Sequence, residues 1–225
     1  MRLSFLWMTI LLSPSLLCAQ QATHRLFFAG AAGGLATLSG DGSAAVTQSA
    51  ASTSLFDPKN GPAGEVFAGI HLFQFVGFQT DYTWNQNDVF LISTSTGSGG
   101  TGYLREPESV TQHAFLASAL VYFRKRESRV RPYLSEGTGA VLIHSRLTGF
   151  GIVAGNPVLP PAGANHVSIA LRTLVGIDVR LRGPWYFRYT FDETLTRNTL
   201  GGQVSPSFHR VPKNFQSLFG VFVQF

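Results

Sequence analysis

The chain ends in FQSLFGVFVQF, residues 215–225. Successive side chains of a β-strand point to opposite faces, so this stretch has two unlike faces. The first face is almost wholly apolar and comprises Phe215, Ser217, Phe219, Val221, Val223 and Phe225. The second is small or polar, with Gln216, Gly220 and Gln224. A soluble β-sandwich would bury the apolar face in its core, whereas a membrane barrel would turn it to lipid.

The beginning of the chain has the pattern of a cleavable export signal. An arginine precedes an apolar core at residues 3–12, and small Ala19 closes the segment. The apolar run is shorter than the roughly 20 residues that a membrane-spanning helix requires. We therefore predict a signal peptide over residues 1–19. A lipoprotein acylated at Cys18 is the alternative, but bulky Leu17 stands where that signal has a small residue.

Between these two ends the side chains repeat with a period of two. Eight such runs lie at residues 25–38, 65–74, 76–85, 112–123, 132–145, 167–181, 185–196 and 215–225. The connections between them alternate in length, beginning and ending with a long one. Transmembrane barrels have short turns at one end and long loops at the other, whereas nothing forces the connections of a sandwich to alternate. The alternation therefore favours the barrel.

The predicted fold class is all-β, an eight-stranded antiparallel up-and-down transmembrane barrel over residues 20–225. Its long outer loops are expected at about residues 39–64, 86–111, 146–165 and 197–214. The last strand should pair with the first, because a barrel that spans a membrane leaves no free edge. The apolar face of residues 215–225 should then face lipid, with Gln216 and Gln224 turned inward.

Charged residues recur on one face of the sixth and seventh runs, opposite an aliphatic face. A charge in mid-strand is costly against lipid, so we predict that these side chains enter the lumen as one cluster. Its predicted members are Glu136, Arg172, Asp178, Arg180, Arg188 and Asp192. An eight-stranded barrel is only just wide enough for its side chains to fill it. We interpret the cluster as a plug, with an ion gate or a substrate site as the alternative.

Most of the formal charge of the chain lies in one turn. Residues 124–131, RKRESRVR, carry a net charge of +4 out of the total of +5. A nucleic-acid surface would spread its basic residues over a face, so we predict no nucleic-acid partner. In a barrel this turn lies on the periplasmic side, where anionic lipid headgroups would attract it. A plain solvated turn is the alternative.

Two segments resemble parts of the small eight-stranded outer-membrane β-barrels. Residues 131–139, RPYLSEGTG, lie at the fifth predicted strand, and the chain ends as these barrels do. The family includes the transmembrane domain of outer membrane protein A and the opacity-type and X-type proteins. By this resemblance, the terminal strand is an assembly signal formed by Phe219, Val221, Val223 and Phe225. Outer membrane protein A continues into a periplasmic peptidoglycan-binding domain, and a chain that stops at Phe225 is expected to lack that domain.

The resemblance also implies a location and partners. We expect the bacterial outer membrane as the location, with outer-membrane lipid and the barrel assembly machinery as partners. A surface ligand would be bound through the outer loops, and we expect a monomer. The filled narrow lumen and the long loops rich in Ser, Thr and Gly favour a structural or surface-interaction role, and the lumen charges suggest a small porin-like channel or transporter as the alternative.

The candidates for catalysis in the sequence are weak. Gly97, Gly99 and Gly102 have the spacing of a dinucleotide-binding loop, but no helix follows them. His166 and Ser168 share a strand face, and some outer-membrane barrels are lipases or lipid A deacylases that use a Ser–His pair. Both residues are expected to point inward, however, and the sequence that surrounds the deacylase site is absent. No spacing resembles a metal site, so we predict no enzymatic activity and no cofactor.

Overall fold

A computed structural model describes residues 26–149, 151–155, 164–196, 206–207 and 213–225. The predicted signal peptide and most of the predicted loop 197–214 lie outside these residues. The described strands, in chain order, are β1 (Phe27–Leu38), β2 (Asp41–Val46), β3 (Ala50–Pro58), β4 (Gly61–His71), β5 (Val76–Gly97), β6 (Gly100–Tyr122), β7 (Val130–Leu147), β8 (Ile152–Ala154), β9 (Ala164–Arg180), β10 (Trp185–Thr196) and β11 (Lys213–Gln224). No helix in these ranges is long and apolar enough to cross a membrane.

Eight of the strands close into a ring in the order β1-β4-β5-β6-β7-β9-β10-β11, and every neighbouring pair is antiparallel. At the seam, Phe28 of β1 lies opposite Gln224 of β11 on one side and Gly69 of β4 on the other. The closed ring satisfies the backbone groups that lipid cannot hydrate. The predicted eight-stranded barrel is therefore confirmed, including the pairing of its last strand with its first.

The alternation of side chains separates an apolar outer wall from a filled interior. In β11, Phe219 and Val221 are exposed, while Gln216 and Gln224 are buried, as predicted. In β9, Ile169 is 76% exposed although it is a large aliphatic residue. Such a wall is unfavourable in water and favourable in lipid. The exposed apolar residues of these strands thus form the surface that contacts the membrane.

The barrel has two unlike ends. Both chain ends of the barrel and the three short connections, residues 72–75, 123–129 and 181–184, lie at one end, which we call the turn end. At the opposite end, which we call the sheet end, β5 and β6 continue beyond the ring. The pairing of β4 with β5 ends at Asn85, yet β5 runs on to Gly97 and turns directly into β6 at Gly100.

These extensions carry a second structure, the outer sheet, in the order β2-β3-β5-β6-β8. The prediction of a loop at residues 86–111 is therefore wrong, because the segment is a regular hairpin. The predicted loop at residues 39–64 likewise contains β2, β3 and the start of β4. The cause is that Gly, Ser and Thr suggested a loop, whereas the period-two pattern continues through Val89 and Leu91, whose side chains are buried.

The interior changes character along the barrel axis. Aromatic residues fill the turn end, where Phe28, Phe67, Tyr186 and Phe222 form one cluster. Charged and amide side chains occupy the middle. An apolar cluster seals the sheet end and joins the barrel to the outer sheet; it comprises Leu38, Phe56, Val89, Leu91, Val110, Ala114, Leu116, Val141, Ile143 and Ala170. The charged middle layer thus lies between an aromatic cluster and an aliphatic one.

Candidate functional site: the charged lumen

Arg172 of β9 spans the lumen to the opposite wall. Its Nη1 atom lies 3.3 Å from Oε1 of Glu65 on β4, and its Nη2 atom lies 2.6 Å from Oδ1 of Asp81 on β5. Nη2 also donates to the hydroxyl of Ser118 on β6, at 3.3 Å. The guanidinium and both carboxylates are almost completely buried. One side chain therefore ties β9 to three strands across the lumen and obstructs the passage between them.

Asp192 of β10 is a third carboxylate in this layer. It is 1% exposed, lies within electrostatic range of Arg172 and accepts a hydrogen bond from the hydroxyl of Thr194 at 3.4 Å. Three buried carboxylates, those of Glu65, Asp81 and Asp192, thus surround one guanidinium. Removal of that guanidinium would leave like charges without a counter-ion in a region that water hydrates poorly.

A second ion pair lies nearer the turn end. Nε and Nη2 of Arg188 donate to the two carboxylate oxygens of Asp178 at 2.7 and 3.0 Å, which is a bidentate contact. Nη1 of Arg188 donates across the lumen to Gln79 of β5 at 2.7 Å. The rings of Phe28, Phe67, Tyr133 and Phe222 surround the guanidinium carbon at 4.5 to 5.5 Å from their centroids. Cation–π attraction adds to the ion pair and holds Arg188 in this aromatic cage.

The predicted cluster is divided between these two centres. Asp178 and Arg188 form one, and Arg172 and Asp192 belong to the other. Arg180 is half-buried at the turn end, where its Nε atom donates to the hydroxyl of Tyr186 at 2.9 Å. The two centres together contact four of the eight barrel strands, β4, β5, β9 and β10, through charged or amide groups.

The placement of Glu136 in the lumen is wrong. Glu136 is exposed on the outer wall of β7, where its carboxylate accepts a hydrogen bond from Thr173 of β9 at 3.0 Å. The odd-numbered residues of β7, such as Arg131 and Tyr133, are the ones that point inward. The sequence did not reveal this because the strand has small residues on both faces around Gly137, so neither face stands out as apolar.

Three charged residues of the lumen were missed by sequence reasoning. Glu65 is the first residue of the predicted strand 65–74 and was not assigned to the cluster, and Arg131 lies in a segment interpreted as a charged turn. Asp81 could have been found, because it shares a strand face with Gln79 while Phe78 and Tyr82 occupy the other face. The pairing of these residues across the barrel requires the ring to close, which no local pattern encodes.

His166 and Ser168, the candidate catalytic pair, both lie on β9. The hydroxyl of Ser168 donates to the backbone carbonyl of Ile169 at 3.2 Å, and His166 lies opposite Ile143 in the pairing of β9 with β7. Among the residues that the structure describes, no three His, Cys, Asp or Glu side chains are arranged to bind a metal ion. The charged lumen is therefore the best-defined cluster of functional groups in the described chain.

Comparison with solved structures identifies proteins with a similar architecture. Neisserial surface protein A matches with a TM-score of 0.54 and 15% identity, over 90% of this chain and 98% of that one. The attachment invasion locus protein Ail of Yersinia pestis matches at 0.47 and 9%, over 89% and 99% of the two chains. OprG of Pseudomonas aeruginosa matches at 0.46 and 15%, over 89% and 96%. No family model and no curated protein matches the sequence. The chain has a closed ring of strands, an apolar outer wall and a likeness to neisserial surface protein A. Together these show that it has the fold of the small eight-stranded outer-membrane β-barrels.

Proposed function

We propose that this protein is a closed outer-membrane barrel that displays the outer sheet for contacts at the cell surface. The observation that carries the proposal is the obstruction of the lumen by Arg172 and Arg188, which reach from β9 and β10 to β4 and β5. An eight-stranded barrel has little interior space beyond its own side chains. A lumen crossed at two levels favours an anchor over a pore.

The outward face of the outer sheet has the composition of a contact surface. Leu55, Ile92, Arg105 and Ile152 form one row across β3, β5, β6 and β8. Leu55 and Ile152 are 45% and 56% exposed. Beside this row, the ring of Phe90 lies under Arg105 at 4.2 Å. Aromatic and arginine side chains are enriched at protein interfaces, which supports a surface ligand that binds this face.

The proposed partners at the membrane follow from the outer wall. Phe219, Val221 and Phe225 expose their side chains along β11, and Val223 lies on the same face. We assign to this face the contact with outer-membrane lipid and, before insertion, recognition by the barrel assembly machinery. The proposed form is a monomer without a cofactor, and the proposed role is not enzymatic.

Planar-bilayer recordings test whether the lumen is closed. The purified barrel should give no steady single-channel current, because its two ion-pair centres occupy the lumen. Steady currents whose conductance changes when Arg172 or Arg188 is replaced by alanine would instead support the small porin-like channel, the second candidate that the charged lumen suggests. A silent Arg188→Ala variant would not contradict closure, because Arg172 still crosses the lumen.

A shortened hairpin tests the role of the outer sheet. Leu91 and Glu106 lie opposite each other, so residues 92–105 can be replaced by Asn-Gly, the preferred two-residue turn. Bacteria that carry this variant should adhere several-fold less to plates coated with extracellular matrix, while the barrel keeps its heat-modifiable gel migration. The matched control is Ser98→Asn, which changes only the turn. Unchanged adherence of the shortened variant would refute a surface role for this sheet.

A further inference from the structure

The turn end of the lumen contains more positive than negative charge. Arg126, Arg131, Arg180 and Arg188 converge there. The buried carboxylate that forms an ion pair among them is that of Asp178, and its oxygens are already engaged. Arg188 bonds both of them, and the hydroxyl of Tyr122 donates to Oδ2 at 3.2 Å. The other guanidinium groups therefore need a different counter-ion.

Arg131 is the residue whose charge is least compensated. It is 1% exposed, and none of its three guanidinium nitrogens makes a hydrogen bond. It lies opposite Asp178 in the pairing of β7 with β9, yet its guanidinium stacks on the ring of Tyr122 at 3.8 Å instead. A buried cation–π contact contributes less free energy than an unpaired buried charge costs. Stacking alone leaves the N–H donors unsatisfied, so the group is suited to bind an acceptor.

Arg126 is a second buried arginine, and it lies within electrostatic range of Arg131. It belongs to the short connection 123–129, and its Nη2 atom donates to the backbone carbonyls of His71 and Phe73, both at 3.1 Å. Its Nε atom has no hydrogen-bond partner. Burial, together with the positive charge of Arg131, lowers the pKa of Arg126. Two guanidinium groups thus repel each other at the turn end, and the carboxylate in electrostatic range of Arg126 is that of the exposed Glu127.

The exposed residues around the turn end carry positive charge that attracts anions. Arg124, Lys125 and Arg129 belong to the same connection and are exposed. In an outer-membrane barrel the short turns face the periplasm, at the level of the phospholipid headgroups, where juxtamembrane basic clusters attract anionic lipid. The exposed cations would draw anions towards the turn end, and the buried pair would bind them.

We propose that Arg126 and Arg131 form a binding site for a phosphate group at the turn end of the lumen. Guanidinium groups present paired N–H donors that match phosphate oxygens, which a lysine cannot do. Binding would draw Arg126 away from the carbonyls of His71 and Phe73 and give Arg131 its missing acceptor. The group is either free inorganic phosphate or the headgroup phosphate of a lipid in the adjoining leaflet, since both present the same oxygens.

Thermal unfolding in maltoside micelles tests the site. Inorganic phosphate should raise the unfolding midpoint by ~5 °C over sodium chloride of equal ionic strength, because a ligand of the folded state stabilises it. Arg131→Gln should abolish this rise, and without phosphate its midpoint should equal or exceed that of the parent. Arg124→Gln, an exposed control in the same turn, should keep the rise. If Arg131→Gln does not fold, Arg126→Gln serves in its place and should lose most of the rise.

A second set of unfolding measurements, made with added lipid, distinguishes the two sources of phosphate. In phosphate-free buffer, phosphatidylglycerol is compared with a phosphate-free glycolipid at equal mole fraction. A rise with phosphatidylglycerol that Arg131→Gln abolishes would identify a headgroup, and a rise with inorganic phosphate alone would identify the free ion. The proposal fails if neither phosphate source raises the midpoint. It also fails if Arg131→Gln lowers the midpoint equally with and without phosphate, since Arg131 would then act only by stacking on Tyr122.

Discussion

Single arginine side chains hold the lumen of this barrel together. Arg172 and Arg188 each connect a strand on one wall with strands on the opposite wall, and each is almost completely buried. Buried ion pairs add little net stability compared with apolar packing, but the loss of one partner is costly because the other stays charged and buried. When a charged residue is replaced, the loss in free energy of unfolding should therefore depend on whether its side chain lies inside the barrel, and not on its charge alone.

Arg172→Met tests this dependence. It leaves Glu65, Asp81 and Asp192 without their counter-ion, so we expect the free energy of unfolding to fall by about 3–5 kcal/mol. The measurement is the urea midpoint at which the folded gel band is lost in detergent. Glu136→Gln is the matched control, because Glu136 is exposed on the outer wall, and it should change stability by less than ~0.5 kcal/mol. An equal loss of stability in both variants would contradict the assignment of Arg172 to the interior and of Glu136 to the outer wall.

Glu136 also shows what the alternation of side chains along a strand can and cannot predict. In β9 and β10 a mainly aliphatic or aromatic face marks the lipid side, and Arg172, Asp178, Arg188 and Asp192 could be assigned to the interior from sequence. In β7 small residues occur on both faces, with Gly137 and Gly139 on one and Thr138 on the other. A period of two defines two faces but not which one is inside, so the assignment needs at least one large apolar face in the strand.

At the scale of elements, the seam between β1 and β11 decides whether the sheet becomes a barrel. Gly34 approaches the backbone carbonyl of Ser217 so closely that an added Cβ would lie 2.0 Å from its oxygen. Gly33, on the other face of β1, has its nearest neighbour at 3.8 Å. The two adjacent glycines thus differ in whether a methyl group fits.

Gly34→Ala should therefore weaken the barrel, whereas Gly33→Ala should not. A methyl group at position 34 meets backbone, which cannot move without parting β1 from β11, and overpacking of this kind costs roughly 1–3 kcal/mol. The temperature at which the folded gel band converts to the unfolded one should drop for Gly34→Ala alone. A larger effect at Gly33 would show that the faces of β1 have been assigned the wrong way round.

The hairpin of β5 and β6 shows that residue composition alone does not distinguish a loop from a strand. Residues 86–111 contain enough Gly, Ser and Thr to suggest a loop, yet they continue two strands. The extension is stable because β3 and β8 pair with its two edges and because Val89 and Leu91 are buried beneath it. Those partners come from other parts of the chain, so residue composition alone did not reveal the extension, although the period of two continues through Val89 and Leu91.

At the scale of the whole molecule, the barrel and the outer sheet have different environments, and pH should act on them differently. Glu108 of β6 lies beyond the ring and is completely buried. Burial raises the pKa of Glu108 above its ordinary value of 4.5, and Glu106 raises it further, although a hydrogen bond from Ser145 opposes the shift. The folded outer sheet therefore binds a proton more tightly than the unfolded segment does.

The sign of the effect follows from linkage. A carboxyl group with a raised pKa in the folded state contributes its full stability below about pH 4.5, and this stability is lost as the pH rises through the folded pKa. Amide hydrogen exchange at residues 88–97, corrected for intrinsic rates, should show more frequent opening at neutral than at acid pH. Glu108→Gln should remove most of this difference, whereas Asp57→Asn, an exposed control in the same sheet, should keep it. A pH-independent opening rate in the parent would contradict the prediction.

The period of two, the alternating connection lengths and the apolar terminal strand were sufficient to determine an eight-stranded membrane barrel with its last strand paired to its first. Each of these is a local property, set by the geometry of a strand and the polarity of its surroundings. The partners of Arg172, the free guanidinium of Arg131 and the outer sheet on β5 and β6 were decided only by tertiary structure. They depend on which strands meet across the lumen and beyond it, and that juxtaposition arises only when distant segments close the ring.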